Sequence, residues 1–250
     1  MFQSRKLKTF LLLLLAYFVI PLNVLAYSDY IIAGGQNIGI ELNSDGILIV
    51  GTYKIGKNDP ANEADLQTGD KILSINDVSV SSIEEMLNVI DKIENPSSIK
   101  ISYLRGSKLK TTNLNLVMDD NKVYKTGLYV KDSINGVGTL TFIDPNTKIY
   151  GALGHEIIEK TTGQKLEIKD GKIYSSVVTG ITPSNEGNPG EKNARYNIND
   201  IYGDIKENSS AGIFGTYTDK LPNDKLYKVA SPEEIKLGKA SILTVVNDKT

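Results

Sequence analysis

His155 is the only histidine in the chain, and there is no cysteine. Imidazole acid/base chemistry therefore has a single address, while thiol nucleophiles, disulfides and cysteine-bound zinc are out. The residue ends the run Gly151-Ala152-Leu153-Gly154-His155, whose glycines let a substrate backbone come close. By spacing alone it reads either as a general base or as a surface or core histidine with a satisfied ring. Asp170, in Lys169-Asp170-Gly171, reads as part of a hairpin turn, and Asp200 and Asp204 fall in a polar, loop-like stretch. None of the three is a convincing carboxylate partner for the ring. No loop has EF-hand ligand spacing, and no phosphate-cradling Gly-rich loop is followed by Lys and Ser or Thr. Metal and nucleotide cofactors thus have no motif.

The elements that must hold His155 are strands. Gly136 to Ile143 alternates, Asp144-Pro145-Asn146-Thr147 puts Asp and Pro at the first two positions of a type I turn, and Lys148 to Leu153 returns. That hairpin ends at Gly154-His155. Upstream, Ile38, Ile40 and Leu42 alternate with smaller or polar residues, Ser44-Asp45-Gly46 has turn chemistry, and Ile47 to Val50 forms a second strand. Ser82 and Glu85 make a capping-box signature before Ile83, Met86, Leu87, Ile90 and Ile93, which share one face of a helix. Ile99, Ile101, Tyr103 and Leu104, then Leu114 to Val117, read as further strands. Asp119-Asp120 reads as a linker, and Lys165 to Ile168 and Lys172 to Tyr174 flank an Asp-Gly hairpin turn.

The 250 residues carry 28 Lys+Arg against 30 Asp+Glu, and 40% are hydrophobic. This is enough to bury a sizeable core in one or two domains, and the balanced charge offers no basic field for nucleic acid. Arg5, Lys6 and Lys8 precede an apolar run from Phe10 to Leu22 and then Val24-Leu25-Ala26. The pattern is an export signal, with cleavage near Ala26 or retention as an anchor.

The stretch Pro60-Ala61-Asn62-Glu63-Ala64-Asp65-Leu66-Gln67-Thr68-Gly69-Asp70-Lys71-Ile72-Leu73-Ser74-Ile75-Asn76-Asp77 resembles PDZ domains attached to bacterial proteases, and the resemblance runs over residues 35–118. It implies β-augmentation: a peptide adds as a strand beside Ile40 to Leu42, against the helix that follows Ser82. Ile38, Gly39 and Ile40 are then the peptide-binding residues, in a loop whose N–H groups receive the terminal carboxylate. Gly39 would let the amides converge; the alternative is that it only serves a tight turn.

Gly138-Thr139-Leu140-Thr141-Phe142-Ile143-Asp144-Pro145, Gly151-Ala152-Leu153-Gly154-His155 and Gly187-Asn188-Pro189-Gly190-Glu191-Lys192 are similar to the signature of the stage IV sporulation protein B family. These are exported serine endopeptidases of endospore-forming bacteria. The resemblance implies a mainly β protein: a signal peptide or signal anchor over 1–26, a PDZ domain over 35–118, and the N-terminal part of a chymotrypsin-like β-barrel peptidase domain over 119–250. It makes His155 the catalytic base and lets the Gly187 to Lys192 loop shape the site. In relatives the catalytic aspartate and a Gly-x-Ser-Gly-Ser-Pro nucleophile motif lie beyond the position of Thr250, and Ser209-Ser210-Ala211-Gly212 matches a structural turn. The 250-residue chain is therefore expected to be inactive, with strand edges left unpaired. The implied role is cleavage of a regulatory membrane protein, after export across the forespore inner membrane, in sporulation signalling. No cofactor or metal is required. The partners are a peptide or protein substrate, a membrane-protein regulatory complex or the protein's own tail in the PDZ groove, and not nucleic acid. A non-catalytic PDZ peptide-binding adaptor accounts for the visible residues equally well.

Overall fold

Alternating apolar positions become strands, and the computed structural model, which describes residues 28–94 and 96–245, is mainly β. The export signal expected over residues 1–26 lies outside the described residues. Among the described residues no helix is long and apolar enough to cross a membrane. The chain runs through β1 (Tyr30–Ala33), β2 (Asn37–Thr52), a short helix α1 (Pro60–Glu63), β3 (Lys71–Ile75), β4 (Val78–Ser79), helix α2 (Ile83–Asp91), β5 (Ser98–Arg105) and β6 (Lys108–Asn115). There follow β7 (Val117–Met118), β8 (Tyr124–Lys125), β9 (Leu128–Ile143), β10 (Ile149–Ala152), β11 (Ile168–Thr182), β12 (Glu191–Ser209), β13 (Gly212–Tyr217) and β14 (Leu226–Lys228).

Strand β2 serves two cores. Residues Asn37 to Asn43 pair with β9 on one edge, from Asn37 opposite Thr139 to Asn43 opposite Ser133, and with β11 on the other. Its second half pairs with β9 again, from Leu48 opposite Lys131 to Thr52 opposite Leu128, and with β3. Ser44-Asp45-Gly46, expected to reverse the chain, instead forms a bulge where β2 passes from one core to the other, with Gly46 at φ 123°. The first core gathers Ile38, Ile40, Leu42, Leu140, Ile143, Tyr150, Ile173, Ile205 and Ile213; the second gathers Ile47, Ile49, Ile72, Ile75, Met86, Ile90, Ile99, Ile101 and Leu128.

Around the first core the pairings close into a ring of six antiparallel strands: β2 with β9, β9 with β10, β10 with β13, β13 with β12, β12 with β11, and β11 with β2. The expectation of strand edges left unpaired is corrected in part: β2 supplies the strand that closes this ring, while among the described residues the outer edge of β9 from Leu128 to Gly138 has no strand partner. Asp170-Gly171 is also corrected, from a hairpin turn to the interior of β11 opposite Asn43 and Leu42. A Cβ on Gly171 would lie 2.6 Å from the Glu41 carbonyl oxygen, so the glycine there serves close approach of two strands. The β9–β10 turn is one residue longer than a type I turn: Lys148 N–H reaches Asp144 O at 2.8 Å, with Lys148 at φ 60°.

Around the second core, Ser82 caps α2 by accepting from Glu85 N–H at 3.1 Å, and the Glu85 carboxylate reaches back to Ser81 N–H at 2.6 Å. This region is cross-braced by Asp70, whose side chain is 1% exposed. Its two oxygens accept from Arg105 Nε and Nη2, both at 2.8 Å, and Oδ2 also accepts from Gln67 N–H at 2.9 Å. Asp70→Asn swaps an acceptor for a donor facing the guanidinium, and should lower unfolding stability by roughly 2–4 kcal/mol, discounted from a fully buried pair because Arg105 is partly exposed. Urea unfolding checks this; an unchanged midpoint would show that the brace is not needed.

Candidate active site

β10 leaves β9 early. Tyr150, Gly151 and Ala152 face Ile143, Phe142 and Leu140, with a register shift at the last pair, and the ladder then ends with Leu153 N–H on Thr139 O at 3.1 Å. Leu153 at φ 73° and Gly154 at φ 83° swing the chain away from the sheet. A left-handed leucine is strained unless its surroundings hold it. Here its side chain occupies the space that a Cβ on Gly138 would take. His155 follows, exposed, on the rim of a groove of about 550 Å³ lined by Ile134, Gly136, Val137, Leu153, Ile157 and Ile158.

His155 Nδ1 lies 2.9 Å from the main-chain oxygen of Glu156. A carbonyl only accepts, so Nδ1 carries the hydrogen in this bond and the neutral ring keeps its lone pair on Nε2. The Glu156 carbonyl thus fixes the tautomer that a carboxylate fixes in a Ser-His-Asp triad. Among the described residues no carboxylate or hydroxyl is hydrogen-bonded to the imidazole.

The loop after His155 is held by two residues that the sequence reading did not single out. Asn208, buried at the end of β12, accepts from Ile157 N–H at 2.8 Å and donates to Ile157 O at 2.9 Å and Leu166 O at 3.1 Å. Glu159, its side chain 1% exposed, accepts from Lys131 Nζ at 2.9 Å and Thr162 N–H at 2.7 Å. Burial alone would raise its carboxyl, but the Lys131 hydrogen bond, the Thr162 N–H and the Lys131 charge prevail and hold it down at about 2. Asn208 sits in the polar run Lys206-Glu207-Asn208-Ser209-Ser210 and Glu159 between Ile158 and Lys160, so neither stands out from its neighbours in the sequence.

The other sequence candidates lie apart. Ser209 Oγ donates to Gly212 O at 3.2 Å, in a turn whose Gly212 packs against the Ala152–Gly154 backbone. Asp200 and Asp204 are in β12, not a loop; Asp204 accepts from Thr216 N–H and Asp170 from Asn43 Nδ2. Lys192 Nζ sits 2.7 Å from Thr244 Oγ1 and 3.5 Å from Asn37 Oδ1, opposite Thr139 at the same rim as Leu153. Among the described residues no group of three His, Asp or Glu could hold a metal ion.

Ile38, Gly39 and Ile40 are not a loop. They pair with Gly138, Val137 and Gly136 of β9 on one edge and with Ser175, Tyr174 and Ile173 of β11 on the other. Ile38 and Ile40 are buried in the barrel core. The peptide site expected at these residues is therefore corrected: no edge is left for an added strand. Gly39 makes room for Tyr196, which stacks on Tyr174 with ring centroids 5.5 Å apart. The strand that faces α2 is instead the start of β9. Leu128 and Val130, with Ile83, Met86, Leu87 and Ile90 of the helix, line a groove of about 580 Å³. Gly127, at φ 73°, introduces that strand.

A family model for the SpoIVB peptidase S55 matches residues 122–250, and a PDZ domain model matches residues 37–116. The chain belongs to the SpoIVB peptidase S55 family. In this S55 chain the PDZ match begins at Asn37, the residue at which β2 enters the barrel, so a strand of the PDZ-matched region is hydrogen-bonded between β9 and β11 of the S55-matched region. No curated protein matches the chain. Among solved structures, the PDZ domain of the SdrC-like protein from Listeria monocytogenes is 25% identical, the match covering 35% of this chain and 90% of that one with a TM-score of 0.31.

Asn208→Ala should free the loop after His155, accelerating amide exchange at Ile157 at least tenfold and lowering stability by about 1–3 kcal/mol; unchanged exchange would rule out the clamp. Glu159 titrates lower folded than unfolded, so its contribution is complete above pH 4.5 and is lost as pH falls toward 2. Stability measured from pH 5 to 2 should therefore fall more steeply in the native chain than in Glu159→Gln. Parallel curves would dismiss this role.

Proposed function

We propose that His155 is the general base of a serine endopeptidase and that the groove between α2 and β9 holds peptide. The observation that carries this reading is the Nδ1–H contact to the Glu156 carbonyl, which leaves Nε2 ready to take a proton at the edge of an apolar groove. As a serine Oγ bonds to the scissile carbonyl carbon, its proton passes to Nε2. That proton then goes to the leaving amine as the C–N bond breaks, and a water repeats the sequence on the acyl-enzyme. The resemblance sets the serine and the aspartate C-terminal to Thr250, so the 250-residue chain supplies the base and not the nucleophile. No cofactor enters this chemistry.

The charged N-region and apolar run before Ala26 support export, or anchoring, on the outer face of a membrane. Together with family membership, this supports an extracytoplasmic role between the forespore membranes, where the enzyme cleaves a regulatory membrane protein. An adaptor without catalysis is the rival reading, favoured by the absence of any hydroxyl or carboxylate bonded to the imidazole among the described residues.

An extended chain carrying the Gly-x-Ser-Gly-Ser-Pro segment should cleave a peptide substrate, the 250-residue chain should not, and His155→Ala in the extended chain should reduce kcat at least 10³-fold with folding retained. Undiminished turnover in the His155→Ala enzyme would return the histidine to the surface and leave the adaptor.

A further inference from the structure

The α2 groove and the His155 groove lie along one strand. β9 pairs with β2 from Leu128 to Thr139, while β10 covers its opposite edge only at Leu140, Phe142 and Ile143. Among the described residues no strand pairs with that edge from Leu128 to Gly138. Thr139 O accepts from Leu153, so Thr139 presents its backbone groups outward; with the two-residue alternation of an antiparallel strand, Val137, Asn135 and Ser133 do the same. Further back, Val130 stands opposite Ile49, whose own N–H and C=O are taken by Asp70 and Gly69 on the far side, which makes Val130 outward-facing as well. The phase changes near Asp132, whose carboxylate accepts from Ile83 N–H at 2.8 Å at the start of α2. A Cβ on Gly136 would meet nothing within 4 Å, so the sheet face next to that edge is also open, in the groove that His155 lines.

From this edge we infer that a single polypeptide occupies both grooves, adding as one antiparallel strand along β9, with its terminal carboxylate at the Gly127 end and an upstream apolar residue against Val137 and Ile158. The occupant follows from the chemistry: unpaired main-chain donors and acceptors call for another main chain, and both grooves are apolar beside that edge. At about 3.3 Å per residue, Leu128 to Val137 spans roughly 30 Å. The strand sets a ruler: a bond reaches His155 only if it lies about ten residues before the substrate's C-terminus, with a one-residue irregularity opposite Asp132. This inference rests on the reading of His155 and the α2 groove given above, and it adds the length and end chemistry of the substrate.

The test uses the 250-residue chain and fluorescein-labelled peptides with a free C-terminus, one of five residues and one of fourteen sharing the same last five. The longer should bind about tenfold more tightly. Asn135→Pro removes one outward N–H without touching the ladder to β2 and should abolish that gain, leaving the five-residue affinity unchanged. N-methylation of the fourteen-residue peptide at residues eight to ten from its C-terminus should do the same on the unaltered protein, independently of any folding defect. Equal affinities for the two lengths, or a gain insensitive to both changes, would overturn the ruler while leaving the α2 groove in place. No binding of the five-residue peptide would overturn the groove and the ruler together.

Discussion

The whole arrangement depends on β2 having no free edge. Along Asn37–Asn43 it is hydrogen-bonded to β9 and β11 at once, and beyond the Ser44–Ile47 bulge it is bonded to β9 and β3. Backbone groups buried in either core have to be paired, and one long strand with a bulge satisfies both cores. The bulge re-aims the strand, so Ile38, Ile40 and Leu42 face the barrel interior while Ile47 and Ile49 face the PDZ interior. Slippage of β2 by one residue would turn every one of these side chains toward the wrong face.

With β2 fixed, β9 is fixed beside it, and the position of His155 follows. β10 detaches from β9 after Ala152 because Leu153 and Gly154 take left-handed conformations, and the detachment both exposes the edge of β9 and delivers the imidazole to it. The loop that then crosses toward the PDZ unit is secured by Asn208 from the barrel and by the Lys131–Glu159 pair from β9, with Lys71 bonded to Glu167 and Lys169 to Ser81 near its far end. In the proposed reading, the peptide groove and the imidazole are thereby placed beside opposite stretches of a single strand, β9. A rigid strand holds such a spacing better than a loop would.

The sequence read well wherever a local rule matched the tertiary environment. Ser82 before Glu85 and the Met86–Ile90 spacing gave α2, and the alternating run to Ile143 gave the hairpin that ends at His155. It misread places where one dipeptide chemistry has two uses. Asp170-Gly171 and Ser44-Asp45-Gly46 carry turn residues, yet each sits in a continuous strand, because glycine also permits bulges and close strand approach. Gly39 misled for the same reason: its missing side chain makes room for Tyr196, not for an anion.

Composition and motif spacing by themselves determined that this is a β-rich chain with one imidazole at the end of a hairpin, one amphipathic helix and no thiol chemistry, since these are properties of residue type and short-range order. Only the tertiary structure decided which strand faces that helix, that β2 closes the barrel, and that Asn208, Glu159 and the Glu156 carbonyl secure the histidine loop. Apart from the His155–Glu156 contact between neighbours, those outcomes turn on pairings between residues from 28 to more than 100 positions apart along the chain, where competing partners of similar hydrophobicity are separated only by which arrangement leaves no buried backbone group unpaired.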